Sequence, residues 1–262
     1  MPPRFSKIKL NKTYIFSISS YKFGLGHKLR CEKLKKNLVK KKHSVQHINL
    51  EIKKKNFEKE KKKFFEKIFF FQRQHNSIIV LDLTNKNFIK KRDIQLFKKN
   101  FSLANNKNIF IIDDPNSINL SLKLKLKNIN YIYPYDLTLG QKKKLKNIPK
   151  KVIGFKYFIY NESNNKILNT KKIKEKNILI TLGGSDLKHK TQYICNLIQD
   201  LKLSSKYKVK IILGKYLKKN YKKVIKRISN KKNFRILNFK KNINFQNINY
   251  LITNSGLTKY GF

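Results

Sequence analysis

Short apolar runs alternate with longer amphipathic stretches along the first half of the chain. Residues 13–19 (TYIFSIS) form a β-branched and aromatic run that predicts a buried strand. From His27 onward, Leu29, Leu34 and Leu38 recur at helical spacing. Residues 44–50 predict a second strand. Residues 52–67 are dense in Lys and Glu, with Phe57, Phe64 and Phe65 interspersed, which predicts a solvated helix with one apolar stripe. Residues 77–83 (SIIVLDL) predict a strand and 90–105 a helix. Residues 108–113 (NIFIID) predict another strand, closed by the turn pair Asp114-Pro115. A further strand is expected at 130–133.

Residues 135–176 are less regular and include the Lys-rich run 142–151, so a domain boundary is placed there. The alternation then resumes. A strand at 177–182 ends in Gly183-Gly184, a helix covers 190–201, and a strand at 207–213 ends at Gly214. A helix at 216–228 and strands at 234–239 and 250–253 follow. The expected fold class is α/β, with two parallel sheets covered by helices. The expected domains are 1–140 and 177–262, joined by a linker region at 141–176. The two halves share a plan without a residue-level repeat. The last strand is followed by nine residues ending at Phe262. A covering helix is expected to begin there, so the second domain is expected to be incomplete.

Composition narrows the function classes. The 262 residues carry 63 Lys+Arg against 14 Asp+Glu, a formal charge of +49. Such a charge points towards nucleic acid or anionic membrane. Here the excess is spread along the whole chain and travels with Asn, Ile and Phe, residues with A/T-rich codons. Mutational bias therefore accounts for it better than a selected polyanion interface, and no specific nucleic-acid partner is expected. The charge still favours any anionic ligand at long range. A hydrophobic content of 40% excludes a disordered basic tail, and 9 Gly with 5 Pro exclude collagen-like sequence. Cys31 and Cys195 are the only thiols, which argues for a reducing compartment. No signal peptide and no run of about 18 apolar residues is visible, so a cytoplasmic protein without membrane insertion is expected.

Three strand-to-helix turns carry candidate chemistry. In Gly24-Leu25-Gly26-His27 the glycines permit a tight turn, and His27 falls near a helix N-terminus at the carboxyl end of a strand. The helix dipole disfavours the imidazolium there, which suits a base; helix capping is the plainer reading. Gly183-Gly184-Ser185-Asp186 can present free N–H groups to a phosphate, and Ser185 or Asp186 can equally serve as N-caps. Asn254-Ser255-Gly256-Leu257-Thr258 is a third turn of the same kind. Together they suggest a cleft for a phosphorylated ligand. Asp82, Asp113 and Asp114 end strands of the first half and are candidates to face it, against a plain reading as turn chemistry. No metal site and no cofactor is expected. His43 and His47 stand four apart on an expected strand, and His75, His189 and the two cysteines lack partners at ligand spacing. A Walker-type lysine loop is absent.

At these residues the chain resembles the nucleotide-sugar hydrolases of pseudaminic acid biosynthesis. The resemblance rests on GLGHKLR (24–30), VLDLT (80–84), IIDD (111–114), GFKY (154–157), LGGSD (182–186) and NSGLTKY (254–260), in that order. It implies two Rossmann-like domains in a glycosyltransferase-B architecture. It implies metal-independent release of UDP from a UDP-linked 2,4-diacetamido-2,4,6-trideoxy sugar. His27 matches the family's catalytic histidine, and Gly24 and Gly26 match its turn glycines. Gly183, Gly184, Ser185 and Asp186 match the loop that approaches the diphosphate. Ser255, Gly256, Leu257 and Thr258 match the nucleotide loop of the second domain. The chain departs from the family in lacking an acidic residue before Gly24, in Asn161 after the GFKY segment and in Gly261 after the last motif. Two other readings share these residues: a glycosyltransferase of the same architecture, and a basic nucleic-acid-binding protein or inactive truncated relative.

Overall fold

The computed structural model describes residues 12–20, 25–52, 56–74, 76–85, 88–102, 108–114, 120–135, 137–154, 157, 176–182, 186, 189–214, 217, 219–230, 233–237 and 248–253. The chain divides into two compact units, each with its own sheet. The fold is mixed α/β, as the alternation predicts.

The first unit contains β1 (Lys12–Ser20), α1 (Gly26–Lys40), β2 (Val45–Ile52), α2 (Phe57–Gln72), β3 (Ser77–Asp82) and α3 (Lys91–Ser102). It continues with β4 (Ile109–Ile112), α4 (Leu120–Leu124), β5 (Ile129–Tyr133), α5 (Leu139–Lys144) and β6 (Lys151–Ile153). Its six strands form a parallel sheet in the order β2-β1-β3-β4-β5-β6. Residues 141–153, placed in the linker by the sequence, supply most of α5 and all of β6, the edge strand of this sheet. The Lys-rich composition hid them, because a solvated edge needs few apolar residues.

Side chains alternate across this sheet. Ile15 and Val80, register partners on β1 and β3, pack with Cys31, Leu34 and Leu38 of α1. Tyr14 and Phe16 point the other way, onto Phe71 and Phe64 of α2. Helices therefore cover both faces. The α2 helix has the single apolar stripe that its pattern predicts: Phe64, Phe65, Ile68 and Phe69 are buried, while Lys59, Lys62, Lys63, Glu66 and Lys67 are exposed. Phe65 and Phe69 meet Phe97 of α3 edge-on, at centroid separations of 5.0 and 5.6 Å. Such ring pairs contribute about 0.5–1.5 kcal/mol each beyond area burial. Lys61, also buried, donates to the Phe88 carbonyl and to Asp93, inside a cage of Phe57, Phe65 and Phe88 rings.

The second unit contains β7 (Asn177–Thr181), α6 (Lys190–Asp200), α7 (Leu203–Lys206), β8 (Lys208–Ile212), α8 (Lys219–Ser229), β9 (Phe234–Leu237) and β10 (Tyr250–Thr253). Its four strands run parallel in the order β10-β7-β8-β9. Ile178, Ile180, Val209 and Ile211 pack against Cys195 and Ile198 of α6 and Tyr221 and Ile225 of α8. Among the described residues, no helix is long and apolar enough to cross a membrane.

Candidate functional site

Strand order locates the candidate site. The chain passes from β1 outward to β2 and then back across β1 to β3. The direction of winding thus reverses between β1 and β3, and ligands of open α/β sheets bind beyond the carboxyl ends of strands at such a reversal. Ser17 and Asp82 are register partners near the carboxyl ends of these two strands.

The α1 helix enters here. His27, Cys31, Leu34 and Leu38 fall at i, i+4, i+7 and i+11 and make one stripe towards the sheet, with Arg30 beside Cys31. The stripe is apolar at the far end and polar at the helix N-terminus. The sheet face beneath follows the same gradient, from Ile15, Val45 and Val80 to Ser17, His47, Asn49 and Asp82.

Asp82 is the hub and is fully buried. Its Oδ1 lies 2.7 Å from His27 Nδ1 and accepts from Arg30 Nη2. Its Oδ2 accepts from Arg30 Nε at 2.7 Å and from the Cys31 thiol at 3.6 Å. Arg30 Nη1 donates to the Tyr135 hydroxyl at 2.7 Å. Behind Asp82, Ser17 Oγ lies 2.7 Å from His47 Nε2 and 2.9 Å from Asn49 Oδ1, and Asn49 Nδ2 donates to Ser19 Oγ.

The electrostatics follow from this packing. Burial alone would raise the Asp82 carboxyl, but the Arg30 guanidinium and His27 outweigh it and hold the group far below the ordinary carboxylate range. Burial would lower Arg30, and Asp82 reverses that too. Burial and then the Asp82 charge push the Cys31 thiol well up, so it is a packing residue rather than a nucleophile. Burial lowers His47 and raises the Tyr135 phenol.

The arrangement fixes the histidine tautomer. A ring nitrogen facing an ionised carboxylate carries the proton, so Nδ1 is the donor, and in the neutral ring Nε2 is the acceptor. The His27 side chain is 14% exposed, and among the described residues no hydrogen-bond partner meets Nε2. The pair can accept a proton at Nε2 and stabilise the resulting cation through Asp82. The helix N-terminus, the influence anticipated from the sequence, is therefore not alone: a buried carboxylate orients the same ring.

The other candidate residues separate by environment. Gly26 opens α1 beside His27. Asp113 is buried and accepts from the backbone N–H groups of Asp114, Leu120 and Ser121, so it caps the start of α4. Burial raises its carboxyl, against the pull of the Ser121 and Leu120 N–H groups. Asp114 lies half-buried beside it. In the second unit Asp186 caps α6 in the same manner, accepting from the N–H groups of Lys190 and Thr191 and from the Tyr221 hydroxyl. Gly24, Gly183, Gly184, Ser185 and residues 254–258 (Asn254, Ser255, Gly256, Leu257 and Thr258) lie outside the described residues. Their flanks are placed: β7 and β10 are neighbours, with Thr181 opposite Thr253, so both strands end side by side at the second sheet's own reversal of winding.

Sequence reasoning missed Arg30, Tyr135, Ser17, His47 and Asn49 as members of the site. Arg30 carries a readable signal, a charge three residues after His27 on the helix's inward stripe. His47 and Asn49 carry another, polar residues at inward positions of a strand. Tyr135 carries none. Among the described residues, no group of three His, Cys, Asp or Glu side chains is placed to hold a metal ion.

No protein-family model matches the chain, and no curated protein matches it.

Proposed function

We propose that the chain is a cytoplasmic nucleotide-sugar hydrolase of glycosyltransferase-B architecture, acting on a UDP-linked 2,4-diacetamido-2,4,6-trideoxy sugar. The observation that carries this reading is the 2.7 Å contact of His27 Nδ1 with the buried Asp82 at the reversal of the first sheet. It leaves Nε2 as a general base of the kind the reaction needs. The six-motif order supports the substrate class. The +49 charge favours a dianionic leaving group.

In this reading Nε2 takes a proton from water as the water oxygen bonds to the anomeric carbon. The bond from that carbon to the diphosphate oxygen breaks, and UDP departs with the electron pair. Asp82 holds the imidazolium that forms. Gly183, Gly184, Ser185 and Asp186 and the segment Asn254–Thr258 receive the nucleotide, by resemblance.

The test is UDP release from the purified chain in ¹⁸O-labelled water, with and without sugar acceptors. The expected result is label in the free sugar, no effect of acceptor, and loss of about 10²–10⁴-fold in turnover in His27→Ala. Acceptor-dependent release would make the protein a transferase. Turnover within tenfold of wild type in His27→Ala would remove the role of His27.

A further inference from the structure

Donors meet both oxygens of Asp82. An ionised carboxylate offers about four lone-pair sites. Four donors meet Asp82: His27 Nδ1, the Nε and Nη2 of Arg30, and the Cys31 thiol. Two come from one planar guanidinium, which fixes the carboxylate plane as well as its charge. Arg30 is itself buried, and its remaining described contact is the Tyr135 hydroxyl at 2.7 Å.

We propose that Arg30, held by Tyr135, is a positioning residue for His27: it locks the Asp82 carboxylate and offsets its charge, so that the ring presents an unprotonated Nε2. The proposal rests on His27 as the reacting base and extends it to residues that touch no substrate. A buried carboxylate facing a histidine alone would favour a proton on both ring nitrogens, because the cation would neutralise it. The Arg30 charge removes that incentive while leaving the Nδ1 hydrogen bond in place. Among the described residues, other charged and titratable groups stand near the ring on three elements. On α1 they are Cys31 and the Lys28–Glu32 pair, 3.8 Å apart. On β2 His47 is reached through Ser17, and beyond β5 stands Tyr135. None of these but Arg30 shares the Asp82 Oδ1 with His27.

The experiment is ¹⁵N NMR of the full chain with labelled histidine, the His27 signals being those lost in His27→Gln. It needs no substrate. The expected wild-type neutral ring carries its proton on Nδ1. Arg30→Met is expected to raise the proton affinity of His27 about tenfold or more, one pH unit in its titration midpoint. Arg30→Lys is expected to recover part of that shift, and Tyr135→Phe to move the midpoint the same way by less. Tyr135→Phe keeps every buried charge, so it decides the matter if Arg30→Met does not fold. A wild-type proton on Nε2 overturns the proposal. So does a midpoint that moves less than about twofold in proton affinity in the folded variants. The expected shifts in a chain that hydrolyses no UDP-sugar uphold the positioning of His27 and fail only the hydrolase reading.

Discussion

Asp82 Oδ1 lies 2.7 Å from Nδ1 of His27, across 55 residues of sequence. One residue ends a strand and the other opens a helix. They meet because β1, which leads into α1, lies next to β3.

The Asp82 pair makes stability depend on acid. Its folded-state affinity for a proton lies below that of the unfolded chain. Its contribution is therefore fully present above the ordinary carboxylate range near pH ~4 and is lost as pH falls towards the folded value. Urea unfolding of wild type and Asp82→Asn between pH 6 and pH 3 checks this. Wild type is expected to lose stability more steeply. An equal slope in both would refute the depressed carboxyl.

Asp82→Ala leaves Arg30 buried without its partner. Breaking such a pair costs about 3–5 kcal/mol. Denaturant unfolding at neutral pH should show that loss, and the double variant Asp82→Ala/Arg30→Met should recover much of it.

Lys61 and Asp93 form a second buried pair, between α2 and α3. Lys61→Met fits the ring cage but strands the Asp93 carboxylate, so a loss of about 3–5 kcal/mol is expected. Asp93 also accepts from the Lys90 backbone N–H. Lys61→Met/Asp93→Ser retains a side chain able to accept that bond, and a double-mutant cycle should report favourable coupling between the two positions.

Both thiols are expected to be inert in the native protein. Burial and Asp82 raise Cys31, and burial pushes Cys195 up to about 12. A thiol-specific chromogenic disulfide at pH 7.5 should label neither until denaturant is added. Rapid native labelling of Cys31 would contradict its packing against Asp82.

Asp113 and Asp186 are expected to behave as caps. Asp113→Ala and Asp186→Ala should each lower stability by about 0.5–2 kcal/mol, the ordinary range for a lost N-cap. Under the proposed hydrolysis, Asp113→Ala is expected to leave turnover within a few-fold of wild type. A drop comparable to that of His27→Ala would instead place Asp113 in the reacting site.

The strands and helices that carry the site were legible because their signals are local. A run such as SIIVLDL reads as a strand from its own residues, and the inward stripe of α1 repeats within one turn or two. The sequence also offered Asp82, Asp113 and Asp114 as equivalent strand-end acids, and nothing local separates them. Strand order does. Placing β3 beside β1 brings Asp82 under His27 and Arg30, whereas Asp113 at the end of β4 faces the N–H groups that open α4. The burial of Lys61 on α2 and the joining of β6 to the sheet were decided in the same way, by neighbours distant in sequence. Hydrophobic period and turn chemistry belong to a segment. Which carboxylate meets which cation belongs to the packing of segments, and that is set only when the sheet closes around its core.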